Sequence, residues 1–136
     1  MANTITGPEV LQENDKRVVI KIVIESDGST STTVFFDSSA RTVAGTAQLG
    51  ALQRIWFSCD TGDGGDSHCR LDFEDSDGDR PLLGFTGTGY WDFREFGGIP
   101  ADKSSNSNQS DVNLVVPSTA NAGNMYTIIA EFQKIY

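Results

Sequence analysis

A chain of 136 residues that is 38% hydrophobic amounts to one domain and can bury a core without a metal or a disulfide. Its formal net charge of −9 makes phosphate backbones and anionic membranes repulsive, so nucleic acid and membrane are excluded as expected partners. No stretch has the length of a transmembrane helix, and residues 1–17 lack the apolar run of a signal peptide, so synthesis in a cytoplasm with reduced cysteines is expected.

The N-terminal stretch is polar, with Val10 and Leu11 scattered in it, and residues 1–16 read as an arm preceding a domain at 17–136. From Arg17 apolar residues recur at every second position. Val18, Ile20, Ile22 and Ile24 form one face of a strand, with Lys21 and Glu25 on the other. Ser26-Asp27-Gly28-Ser29 is a turn signal, and Thr30 to Phe36 reads as the returning strand of a hairpin. Residues 38–50 are ambiguous between a short edge strand near Arg41 to Ala44 and a helical turn near Thr46 to Leu52; irregular structure with one edge strand is the expectation.

Arg54 to Cys59 and His68 to Glu74 alternate again and predict a second hairpin. Closed symmetrically, it sets Cys59 opposite Cys69, Phe57 opposite Leu71 and Ile55 opposite Phe73. Asp75 to Asp79 is the next turn. Pro81 to Phe85 and Gly89 to Phe93 read as short strands, and Gly97 to Ser110 as a polar loop. Asp111 to Val116 is another strand, and Met125 to Tyr136 closes the chain with Tyr126, Ile128, Ala130 and Phe132 inward. About eight closely spaced strands without a three-turn helix predict an all-β, single-domain antiparallel β-sandwich of jelly-roll type.

Three clusters are candidate sites. Cys59 and Cys69 are a candidate disulfide or a pair of facing thiols. A zinc site using them and His68 lacks a fourth ligand, and His68 points away from its neighbour Cys69. Asp75, Asp77 and Asp79 space carboxylates at every second residue within a segment dense in acids, and are candidate ligands for weak calcium binding. An EF-hand does not fit, since Arg80 stands where glycine is required and Thr86 where a bidentate glutamate is. The bland reading is a solvated acidic rim paired with Arg70 and Arg80. The third cluster is Tyr90-Trp91-Asp92-Phe93-Arg94-Glu95-Phe96, in which Trp91 and Phe93 share one strand face and Tyr90 and Phe96 the other. Aromatics in strands are usually core, and a sugar-binding platform would need the rings exposed on one face; left exposed, such rings suit an oligomer contact better than a ligand. Catalysis would have to route through the single histidine, His68, and no motif selects a carboxylate pair, so no enzyme is expected.

Gly87-Thr88-Gly89-Tyr90-Trp91-Asp92-Phe93 followed by Gly97-Gly98-Ile99-Pro100 resembles small virion proteins of tailed phages, marine ones especially. Asp111-Val112-Asn113-Leu114, Ala122-Gly123 and Tyr126-Thr127-Ile128-Ile129 are similar to the way those proteins end. The resemblance covers the C-terminal third and implies a non-enzymatic particle component of the capsid decoration (cement) type. Its implied place is the virion surface. The major capsid protein or other virion proteins are its implied partners, with a homo-oligomer, a trimer, as the expected form. The two cysteines and the acidic segment from Asp60 to Asp79 depart from that pattern. Tyr90, Trp91, Phe93, Phe96 and Ile99 are the expected interface. A carbohydrate-binding or adhesin-like module, calcium-assisted, and a neck or tail component are the alternatives.

Overall fold

The computed structural model describes residues 3–14, 16–27, 30–37, 48–59, 68–73, 80–100, 111–116 and 125–135. These form ten strands: β1 (Thr4–Glu13), β2 (Arg17–Glu25), β3 (Ser31–Phe36), β4 (Gln48–Cys59), β5 (Cys69–Phe73), β6 (Arg80–Phe85), β7 (Gly87–Asp92), β8 (Ile99–Pro100), β9 (Val112–Val116) and β10 (Met125–Ile135). The larger sheet runs β1-β2-β10-β4-β7, with the two-residue β8 also on β4, and the smaller runs β3-β9-β5-β6. Every pairing is antiparallel.

The pairing is nested. β2 pairs with β10, β3 with β9, β4 with β7 and β5 with β6. This two-stranded ribbon is rolled up so that β10 also meets β4 and β9 also meets β5. A rolled ribbon of eight strands in two four-stranded sheets is a jelly roll. The fold is therefore the predicted all-β sandwich, with β1 and β8 added to the eight strands.

Rolling the ribbon sends consecutive strands to opposite sheets, and this corrects both predicted hairpins. β2 and β3 lie in different sheets, as do β4 and β5. Phe57 therefore pairs with Ile128 and Gly89, and Leu71 with Leu83 and Leu114, rather than with each other. Period-two alternation identifies the buried face of a strand but not its hydrogen-bonded neighbour. Facing sheets and paired strands both bring inward residues to inward residues.

The predicted inward faces hold. Val18, Ile22, Ile24, Tyr126, Ile128, Ala130 and Phe132 are fully buried, as are Leu71, Phe73 and Leu114 from the opposite sheet. Each large apolar side chain removed from water contributes about 1.5–3 kcal/mol. Phe132 joins the layers, with its ring centroid 5.7 Å from Phe35 edge-on and 5.2 Å from Phe36.

Three further expectations change. The polar lead-in is not a free arm: Thr4–Glu13 pairs with β2 as the edge strand of the larger sheet. Asn14 makes the reversal, its side-chain oxygen accepting from the backbone N–H of Lys16 and of Arg17 at 2.8 and 2.9 Å. Gln48 to Leu52 is the start of β4, not a helical turn, while the edge strand expected at 41–44 lies outside the described residues. Within the expected polar loop, Ile99 and Pro100 pair with Leu52 and Ala51.

Candidate functional site

Among the described residues β7 is the last strand of the larger sheet, and no strand pairs with its far side. Trp91 points inward at this margin, its ring 5.0 Å edge-on from Phe57, which in turn lies 5.2 Å from Phe85 of the smaller sheet. The strand ends at Asp92 and the chain turns through a single 3-10 turn, Arg94–Phe96. Alternation stops there, so Phe96 falls on the side of Trp91 and Phe93, not on that of Tyr90 as strand periodicity predicted. Phe93 stands 6.2 Å from Trp91 and 6.0 Å from Phe96. Phe93 and Ile99 are half-buried against the core, while Trp91 is 40% and Phe96 70% exposed.

The turn is fastened to β4. Phe93 donates its N–H to the Gln53 carbonyl at 2.9 Å, and Gly98 donates to the Phe93 carbonyl at 2.8 Å. Gln53 is the extra residue of a bulge in β4, and its side-chain amide donates to the Gly97 carbonyl at 3.3 Å. Gly98, at φ +92°, presses on β4 so closely that a Cβ there would stand 2.8 Å from the Leu52 carbonyl oxygen. Arg94 closes the turn outside, donating to both carboxylate oxygens of Asp92 at 2.9 and 2.7 Å. Those bonds, with the Arg94 backbone N–H at 3.0 Å, hold the Asp92 carboxyl well below the usual carboxylate range.

A second row crosses the outer face of the larger sheet. Tyr90 stacks on Trp56 of β4 at 5.0 Å, and Arg54 lies over the Trp56 ring at 4.9 Å. Arg54 donates to the buried carboxylate of Glu131 at 2.6 Å, and Glu131 raises the Arg54 pKa further. Arg17 reaches the same carboxylate at 4.0 Å. Beside the Trp56–Tyr90 stack lies a depression of about 270 Å³. Trp56, Ser58, Thr88, Thr127 and Ile129 line it.

The cysteines meet as predicted, although from facing sheets. Their sulfurs are 3.7 Å apart, both are buried, and both are free thiols. The hydrogen bond from Cys59, then burial, pushes the Cys69 thiol above its ordinary value of 9.0. The folded chain keeps a proton that the unfolded chain releases. This contribution to stability is therefore complete below the unfolded pKa and declines as pH rises beyond it. Urea midpoints should fall from pH 8 to pH 10 more steeply in the wild type than in Cys69→Ala, and maleimide should label the thiols only on unfolding. A parallel fall in both chains would contradict this. His68 is exposed beside buried Cys69, and among the described residues no group of three or more His, Cys, Asp or Glu could hold a metal. Asp75, Asp77 and Asp79 lie outside the described residues. Of the acidic segment, Asp72 is described, and Arg70 donates to both its oxygens at 2.6 and 3.0 Å.

The expected interface residues are thus brought together, except that Tyr90 stands apart on the outer face. Trp56, Arg54 and Glu131 were not anticipated, because their juxtaposition requires the long-range pairing of β4 with β7 and β10. Gly97-Gly98 before Ile-Pro was the available signal for the fastened turn. No helix among the described residues is long and apolar enough to cross a membrane. Comparison with protein-family models, with characterised proteins and with solved structures finds no match.

Proposed function

We propose that this protein is a non-enzymatic structural component of a tailed-phage virion, a capsid decoration protein that binds the assembled head and stabilises it. The observation that carries this reading is the aromatic edge. Trp91, Phe93 and Phe96 form a contiguous row of rings on a turn held by backbone bonds to β4, and half-buried Ile99 follows that turn, paired with Leu52. Large exposed rings on a rigid support act as anchors in protein interfaces. The rest of the molecule suits a protein that must stay soluble before docking, because its net charge of −9 opposes self-precipitation. Its partner is the major capsid protein or another virion protein, and its destination after synthesis in the host cytoplasm is the head surface. A place in the neck or tail would use the same edge.

Co-sedimentation with empty heads assembled from recombinant capsid proteins of tailed phages tests the reading. The chain should pellet with the heads and raise their melting temperature. Replacing Trp91 or Phe96 by Ala should weaken capture roughly thirtyfold, the ~2 kcal/mol of a central aromatic anchor. Capture that is absent, or indifferent to both substitutions, would overturn it.

The depression beside Trp56 favours a second reading, a carbohydrate-binding module. Half-buried Trp56 lines it, and Ser58, Thr88 and Thr127 supply hydroxyls around it. A glycan array read with and without calcium, and repeated with Trp56→Ala, separates the two functions. A flat response removes the sugar reading.

A further inference from the structure

β6 and β7 belong to different sheets, and the chain passes between them through Thr86 alone. The residues on either side of that crossing are each paired: Phe85 with Cys69 of β5, and Gly87 with Cys59 of β4. Phe85 and Gly87 are two residues apart, hence within about 7 Å of each other. The crossing therefore draws Cys59 and Cys69 together from opposite sheets, at a corner where the chain itself ties the layers. Both side chains turn inward there. Cys59 continues the buried face of Ile55 and Phe57, and Cys69 begins that of Leu71 and Phe73.

Two thiols in such a place can serve as small core residues and nothing more. Two observations go beyond packing. The sulfurs stand 3.7 Å apart, so forming a disulfide asks for a movement of only about 1.7 Å. Each cysteine is also the terminal residue of its strand, where the ladder stops and local opening costs least.

We propose that Cys59 and Cys69 are an oxidation site, which a low-molecular-weight disulfide such as oxidised glutathione converts to an intrachain disulfide that staples the two sheets. The step is thiol–disulfide exchange. One cysteine thiolate attacks a sulfur of the external disulfide, which forms a mixed disulfide and expels one glutathione thiolate. The other cysteine thiolate then attacks the protein sulfur of the mixed disulfide, and the second glutathione thiolate leaves. The two cysteine protons pass through water to the expelled thiolates. The protein exchanges two S–H bonds for one S–S bond, and the external disulfide is reduced to two thiols. Attack requires an accessible thiolate, whereas the fold buries both sulfurs and holds the proton on Cys69. Oxidation therefore runs through opening of the strand ends and is slow in the closed chain, so the thiols persist in a reducing compartment. The site is independent of what the Trp91–Phe96 edge binds.

Incubation of the reduced full chain with oxidised glutathione, with and without urea short of the unfolding transition, tests the proposal by mass spectrometry and thermal unfolding. The wild type should lose the mass of two hydrogens, yield a peptide cross-linked through Cys59 and Cys69, and melt roughly 10 °C higher than the reduced chain. Urea should speed the reaction severalfold, and dithiothreitol should return the melting temperature to its starting value. Cys59→Ala and Cys69→Ala should stop at the mixed disulfide and show no such rise. Thiols that stay free even in urea, a mixed disulfide as the end product in the wild type, a link between two chains, or an oxidised chain that melts no higher than the reduced one would each overturn the proposal. Should an alanine variant fail to fold, the reversible shift of the wild type decides.

Discussion

Replacing Phe132 by Ala should cost about 3–5 kcal/mol and lower the melting temperature by roughly 10–20 °C. The ring lies on β10, in the middle of the larger sheet, and meets Phe35 and Phe36 of the smaller. Its loss opens a cavity between layers that are each held by their own ladders and cannot collapse to fill it. Thermal unfolding followed by circular dichroism measures the change. Phe132→Leu, which keeps most of the volume, should recover more than half of the loss. A shift of only a few degrees for Phe132→Ala would mean that the sheets are joined elsewhere.

Gly98→Ala is expected to cost about 2–4 kcal/mol and to release the aromatic turn. Two effects combine there: a backbone angle that side chains rarely adopt, and a Cβ placed against the Leu52 carbonyl oxygen and the Ala51 side chain. The obstacle is largely the backbone of β4, which cannot swing aside. Gly97 separates the two effects, because it has a similar φ of +91° but open space around its missing Cβ. Gly97→Ala should therefore cost only about 1–2 kcal/mol. If the aromatic edge docks on a shell, Gly98→Ala should lose capture as Trp91→Ala does while keeping the β-sheet spectrum. Equal effects of the two glycine substitutions would show that close approach to β4 does not hold the turn.

Local alternation makes much of this molecule legible in its sequence. It marked the inward faces of β2, β4, β5, β9 and β10 residue by residue, because a strand with one buried face writes its burial at period two. It brought Cys59 and Cys69 together for a reason that survives the change of partner, since both are inward residues at the ends of strands that face each other. What it lacked was neighbour identity. The pairing of β2 with β10 spans most of the chain, and nothing local to Arg17–Glu25 encodes it. β1 was missed for a different reason. Its two irregularities shift the apolar positions from Ile5 to Val10 out of a clean alternation, so the strand read as polar lead-in. Phe96 was assigned to the wrong face because the strand period was carried past Asp92 into a 3-10 turn. The Arg54–Glu131 pair depended on strand order and left no mark in either segment.

Electron cryomicroscopy of empty phage heads incubated with saturating chain tests the central claim most directly. The account predicts density at regular lattice positions, with the turn at Arg94–Phe96 and the Trp91 side of β7 against the shell. Bare shells at saturation, or density attached through β1 with the aromatic edge facing solvent, would contradict it.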